Sequence, residues 1–134
     1  MDNIHKMKTM LDAIELKVAE HDKFFDLSPD LLCVADTRSM MFLHLSRSWH
    51  LELGWSLEEL TSKPYTEFVH PDDVNSTEVA SKQISDGVQV HRFVNRYKIK
   101  SGGWAELEWN TATESPTGFV YAVTRVLSKT DEDE

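Results

Sequence analysis

Cysteine is almost missing from this chain: Cys33 stands alone. A lone thiol excludes an intramolecular disulfide and leaves no cysteine pair for a structural metal. Glycine and proline are scarce too, at 5 and 4 residues, and neither gathers into a low-complexity run or a repeat. Long apolar runs are absent. The longest uncharged apolar stretches, such as Ser39–Leu45, fall far short of the roughly 20 residues a helix needs to cross a bilayer. Charges are mixed among the first apolar residues and no small-residue cleavage site follows them, which speaks against a secretory signal. The expectation is a cytoplasmic protein without a membrane partner. Positive charge is also in short supply. Lys and Arg number 14 against 23 Asp and Glu, a formal balance of −9, whereas binding to phosphates needs clustered cations. Nucleic acid is therefore not an expected partner. Much of the negative excess sits in Asp131–Glu134, a run that reads as a solvated tail.

What is present suits one ordinary globular domain. In 134 residues, 40% are hydrophobic and 28% charged, enough apolar chain for a single core. From Ile4 to Phe25 there is no Gly or Pro, and apolar residues fall at Ile4, Met7, Leu11, Ile14, Val18 and Phe25, with His21 at the remaining seam position. Alternating steps of three and four are the a/d repeat of a coiled coil, here over three heptads. In a parallel dimer Lys17 would face Asp22 of the second copy. The competing reading is an amphipathic helix lying on its own domain, with Met10, Leu16 and Phe24 widening the stripe. The repeat favours the dimer, with Ile4, Met7, Leu11, Ile14 and Val18 as interface candidates.

Ser28-Pro29-Asp30 breaks the pattern. Leu31–Ala35 and Met40–Leu45 then read as two strands around a polar hairpin turn, Asp36–Ser39. Arg47–Leu53 and Ser56–Leu60 read as short helices, the first closed by Gly54 and the second opened by Ser56 and Glu59 at capping-box spacing. Pro71 with Asp72 and Asp73 suits the start of a longer helix, ending near Ser85. Three long strands follow, Val88–Lys100, Trp104–Thr113 and Phe119–Leu127, separated by turns at Ser101-Gly102-Gly103 and Glu114–Gly118. This order predicts an α+β fold, with helices segregated from an antiparallel sheet. The expected divisions are 1–25 (helix), 26–128 (domain) and 129–134 (acidic tail).

Several local strings, in this order, resemble the PAS family, above all the branch with long final strands found in bacterial sensor kinases and cyclases. They are Phe25-Asp26-Leu27-Ser28-Pro29-Asp30-Leu31; Leu53-Gly54-Trp55-Ser56-Leu57-Glu58-Glu59-Leu60; Phe68-Val69-His70-Pro71-Asp72-Asp73; and, on the last strands, Asn95-Arg96-Tyr97, Ser101-Gly102-Gly103-Trp104, Leu107-Glu108-Trp109-Asn110 and Tyr121-Ala122-Val123. The resemblance covers about Phe24 to Leu127. It implies five antiparallel strands with short helices closing over one face, and a role in sensing or protein contact. One departure stands out. Where many relatives carry Asp-Ile-Thr leading into a signalling helix, this chain has Val126, Leu127 and Ser128, followed by acidic residues. A stand-alone protein acting through oligomers and a signalling partner is expected ahead of an input domain of a histidine kinase or diguanylate cyclase.

Cofactor chemistry finds little support. A flavin-adduct relative needs a cysteine in the region of Tyr65–Ser85, which has none, and Cys33 reads as a small buried hydrophobe. A haem relative takes its ligand from a histidine on the longer helix, and Val74–Asp86 has none. His70, Asp72 and Asp73 form the one compact His/Asp cluster, explained by the helix start, so no metal is expected. The nucleophile elbow and the phosphate loop are both missing. The alternative of a small acid/base enzyme on this fold has Asp36 or Glu106 as its candidates, but nothing raises them above ordinary turn and strand positions, so the protein is not expected to be an enzyme. What remains is the inner sheet face. Alternation puts Phe93, Asn95 and Tyr97 on one side, and Trp109 with Leu107 and Thr111 on one side of the next strand, while His44 is a further candidate on the second strand. A small-molecule cavity and a filled core, the latter implying a ligand-free structural oligomeriser, both fit these residues.

Overall fold

A computed structural model describes residues 3–114 and 119–131, with the side chains of 14–21, 113 and 114 left out. Most of the turn expected over Glu114–Gly118, and the tail beyond 131, lie outside the described residues. Helix α1 spans Asn3–Leu27, two residues past the expected limit. It stops because Pro29 disfavours helical geometry at Ser28, whose hydroxyl instead accepts from the Asp30 N–H at 3.2 Å.

Strands β1 (Leu31–Asp36) and β2 (Met41–Leu45) form the first hairpin. Helix α2 (Ser48–Leu53) ends on Gly54, whose φ of 86° is the left-handed cap that glycine supplies. Helix α3 (Leu57–Thr61) opens with the full capping box: Ser56 accepts from the Glu59 N–H, and Glu59 from the Ser56 N–H, both at 2.9 Å. Two 3-10 turns, Tyr65–Phe68 and Pro71–Asp73, lead into α4 (Val74–Ser85). Strands β3 (Phe93–Lys98), β4 (Trp104–Glu114) and β5 (Phe119–Thr130) complete the chain.

The five strands lie in the order β2-β1-β5-β4-β3, and each neighbouring pair is antiparallel. β2 and β3 are therefore opposite edges of the sheet, and the helical segment between them must cross one whole face. That crossing makes the core. Along β5, Val120, Ala122 and Thr124 are buried, while Tyr121, Val123 and Leu127 are exposed on the far face.

Two strand boundaries differ from expectation by more than two residues. β3 begins at Phe93 instead of Val88, because Arg92 takes a left-handed φ of 56° and its N–H goes to the Asn110 side chain at 3.1 Å. β5 runs to Thr130, past the expected Leu127 and the expected domain limit at 128: Lys129 pairs with Ala105 and Thr130 with Trp104. The Thr130 carbonyl lies against Gly103, where a Cβ would collide with it, so glycine is required at that turn.

Candidate functional site

Between α4 and the inner sheet face lies a partly open cavity of about 50 Å³. Its floor is the sheet, with Cys33 and Ala35 on β1, Asn95 and Tyr97 on β3, Trp109 and Thr111 on β4, and Val120 and Ala122 on β5. Its roof is α4, through Thr77, Ala80, Ser81 and Ile84. Phe93 and Val90 are its only half-exposed lining residues, so the cavity comes nearest to solvent beside them.

Helix α4 is held over the cavity by hydroxyl groups. Thr77, Ser81 and Ser85 recur every four residues and so share one helical face. The Thr77 hydroxyl accepts from Asn95 Nδ2 at 3.1 Å and donates to the Asp73 carbonyl at 2.7 Å. Ser81 shares a 2.6 Å hydrogen bond with the Tyr65 hydroxyl, and Ser85 one of 2.6 Å with Thr37. Three bonds thus tie one helix face to β3, to the first 3-10 turn and to the β1–β2 turn. Asn95 completes a chain by accepting from Trp109 Nε1 at 2.7 Å, which fixes the indole. Thr111 is also engaged, accepting from the Val90 N–H and donating to its carbonyl.

Tyr97 is different. It is 1% exposed, its ring packs among Phe42, Trp49 and Trp109, and no hydrogen bond to its hydroxyl exists among the described residues. Burial drives its pKa well above the usual phenol value, with Tyr65 and Cys33 as further electrostatic neighbours. Burial likewise raises the Cys33 thiol to about 12 and Tyr65 to about 12. All three are protonated and neutral at physiological pH.

Of the residues marked by the sequence, Phe93, Asn95, Tyr97 and Trp109 come together around this cavity. His44 does not. A bulge in the β1–β2 ladder at Val34/Ala35 breaks the alternation, so Phe42 and Leu45 turn inward while Leu43 and His44 face out. His44 stacks on Phe25 at 4.5 Å and 10°, joining α1 to the outer side of the sheet. The roof residues escaped the sequence reading. Hydroxyls at every fourth position of α4 were the available signal.

The His70 cluster has structural work. The His70 ring accepts from the Asp72 N–H at 3.1 Å and packs on Trp104 at 4.4 Å. The Asp73 carboxylate accepts from Arg96 Nε and Nη2, the two donors of one guanidinium edge, at 2.8 Å each, and from the Arg96 backbone N–H at 2.9 Å, tying the start of α4 to β3. These bonds hold the Asp73 carboxyl below its usual pKa. Among the described residues no group of three or more His, Cys, Asp or Glu is placed to hold a metal.

Of the helix candidates, Ile4, Met7 and Leu11 are 78%, 61% and 56% exposed, so no part of the described domain covers them. The side chains of Ile14 and Val18, and of Lys17, lie outside the described residues. No described helix is long and apolar enough to cross a membrane.

The family model described as PAS fold matches residues 42–124, more than half of the chain. The chain belongs to the PAS family. Solved structures agree on the fold. The PAS domain of an HTR-like protein from Haloarcula marismortui superposes with a TM-score of 0.77 at 19% identity, covering 90% of this PAS domain chain and 99% of that one. A domain of a sensory box sensor histidine kinase/response regulator from Geobacter sulfurreducens gives 0.69 at 13% identity, with 84% and 96% covered. The PAS-B domain of Drosophila melanogaster Cycle, with bound ethylene glycol, gives 0.62 at 18%, with 72% and 99% covered. No curated protein matches the chain.

Proposed function

We propose that this PAS domain is a cytoplasmic, non-catalytic sensory module that pairs with a second copy through α1 and takes a small molecule into the cavity beneath α4. The exposed Ile4-Met7-Leu11 seam carries the pairing, because a 25-residue helix leaving its apolar positions in water is stabilised by a partner that covers them. Heptad spacing matches a second copy of the same helix. A role without catalysis is supported by the cavity lining, where the described side chains include none of the Asp, Glu, His, Lys or Arg groups that acid/base chemistry uses. Sensing draws support from the company the fold keeps, including a domain of a sensor histidine kinase.

Light scattering tests the pairing. Leu11→Asp places a charge in the seam and should reduce the mass from at least a dimer to the monomer. An unchanged mass would show that α1 is not the contact. A second reading, a contact module without a ligand, is favoured by the small volume of the cavity and by the mutual pairing of most of its polar groups. Native mass spectrometry separates the two readings by reporting stoichiometry and any retained small molecule together.

A further inference from the structure

We infer that the cavity selects an uncharged molecule of about three or four heavy atoms with a single hydrogen-bonding oxygen, such as a short alcohol or ketone, and that the Tyr97 hydroxyl is the group that recognises it. This rests on the reading of the cavity as a ligand site and names its ligand class.

Size comes first. An apolar cavity of about 150 Å³ holds benzene, and a water needs roughly 10–15 Å³ of the same measure. At about 50 Å³ this cavity takes three or four heavy atoms and excludes aromatic rings. Charge comes second. None of the described lining residues is ionised, and the tyrosines and the thiol stay neutral because burial penalises their charged forms. A carboxylate inside would lose its water and meet no cation. The aromatic rings could attract a cation through their faces, but a primary ammonium small enough to fit would lose its water and meet no anion, and the quaternary ammonium groups that such cages recognise have five or more heavy atoms and do not fit.

Hydrogen bonding decides the rest. Asn95 is engaged with Trp109 and Thr77, Tyr65 with Ser81, Thr37 with Ser85, and Thr111 with Val90. The Tyr97 hydroxyl, on a residue 1% exposed, is the lining group left without a partner among the described residues. A ligand with one oxygen pairs with it and buries its carbons against Phe42, Trp109 and Ala122. A diol brings a second hydroxyl to a lining whose other polar groups are already bonded to one another, so that hydroxyl pairs poorly, and a poorly paired buried polar group costs about tenfold in affinity.

Titration of the purified chain, followed by the Trp109 indole N–H signal in NMR, tests this. The probes are 2-propanol, acetone, ethylene glycol, acetate and ethylammonium, with xenon as an apolar control. Saturable shifts are expected with 2-propanol and acetone, tenfold weaker binding of ethylene glycol, and none with acetate or ethylammonium. Tyr97→Phe removes only the hydroxyl and should weaken 2-propanol about tenfold while leaving the xenon response in place. Ethylene glycol, acetate or ethylammonium binding as tightly as 2-propanol, or unchanged binding by Tyr97→Phe, would overturn the inference. Xenon binding without any response to 2-propanol or acetone would also sink it while sparing the cavity as a binding site. Silence to every probe, xenon included, would remove the ligand site itself.

Discussion

The two halves of the helical layer cover the same sheet face with opposite materials. Around α2 and α3 the contacts are large and apolar: Trp49, Leu53 and Leu60 are 0% exposed and Phe68 is 2%. On α4 itself the side chains over the sheet are small or hydroxylated apart from Ile84, and a space remains beneath Ala80 and Ser81. Apolar packing is non-directional and strengthens with every atom brought into contact, so the first half is dense. Hydroxyl pairs fix a distance instead, and they hold α4 above the sheet without filling the gap. One domain thus has a densely packed half and a spaced half.

The largest expected effect tests the dense half. Trp49 packs against Phe42, Tyr97 and Trp109 and donates its indole N–H to the Leu32 carbonyl at 3.0 Å. Trp49→Ala should cost about 3–5 kcal/mol in denaturant unfolding, enough to unfold many domains of this size. Ser81→Ala, which removes one rung of the α4 attachment, should cost about 1 kcal/mol. Equal losses from the two would erase the distinction between the halves.

The next effect concerns how α4 is anchored at its start. Asp73 and Asp72 are neighbours, yet the Asp73 side chain is 18% exposed and grips Arg96, whereas that of Asp72 is 80% exposed. Asp73→Ala should cost about 1–2 kcal/mol and Asp72→Ala about 0.5 kcal/mol or less. Acid sharpens the test. The folded Asp73 carboxyl titrates below its ordinary 3.8, so as pH falls the unfolded chain takes up this proton first. The stabilisation is complete above about pH 5 and is lost as pH drops through the lowered value. Asp73→Asn should flatten that part of the acid-unfolding profile. An unaltered profile would mean that the pair contributes nothing.

Much of this was legible in the sequence, for reasons that differ by element. Ser56 and Glu59 announce α3 because capping chemistry is local, and Asn95, Tyr97 and Trp109 share the inner face because strands alternate. His44 failed for a non-local reason: the bulge at Val34/Ala35 depends on pairing between strands and resets the facing of β2. The roof of the cavity failed for another. Thr77 and Ser81 look like ordinary helix hydroxyls until the fold brings Asn95 and Tyr65 to them. The Asp73–Arg96 pair spans 23 positions, a distance at which residue type alone gives no partner.

A matched pair of substitutions is the most direct probe of the difference between the halves, since it adds the same two methyl groups to each. Ala105 on β4 is 0% exposed and is not part of the cavity wall, whereas Ala80 on α4 lines the cavity and is 6% exposed. Valine suits a strand, so propensity favours Ala105→Val, but its methyls meet close-packed neighbours and should cost about 1–3 kcal/mol. Propensity opposes Ala80→Val by a few tenths of a kcal/mol because a β-branched side chain loses rotamer freedom in a helix. Against that, methyls entering an empty apolar space bury new area at about 0.8 kcal/mol per carbon. The net result for Ala80→Val should lie between neutral and about 1 kcal/mol stabilising, with ligand binding lost through the filled volume. A destabilisation matching that of Ala105→Val would mean that the space under α4 closes in solution, and that both halves of the layer are equally packed.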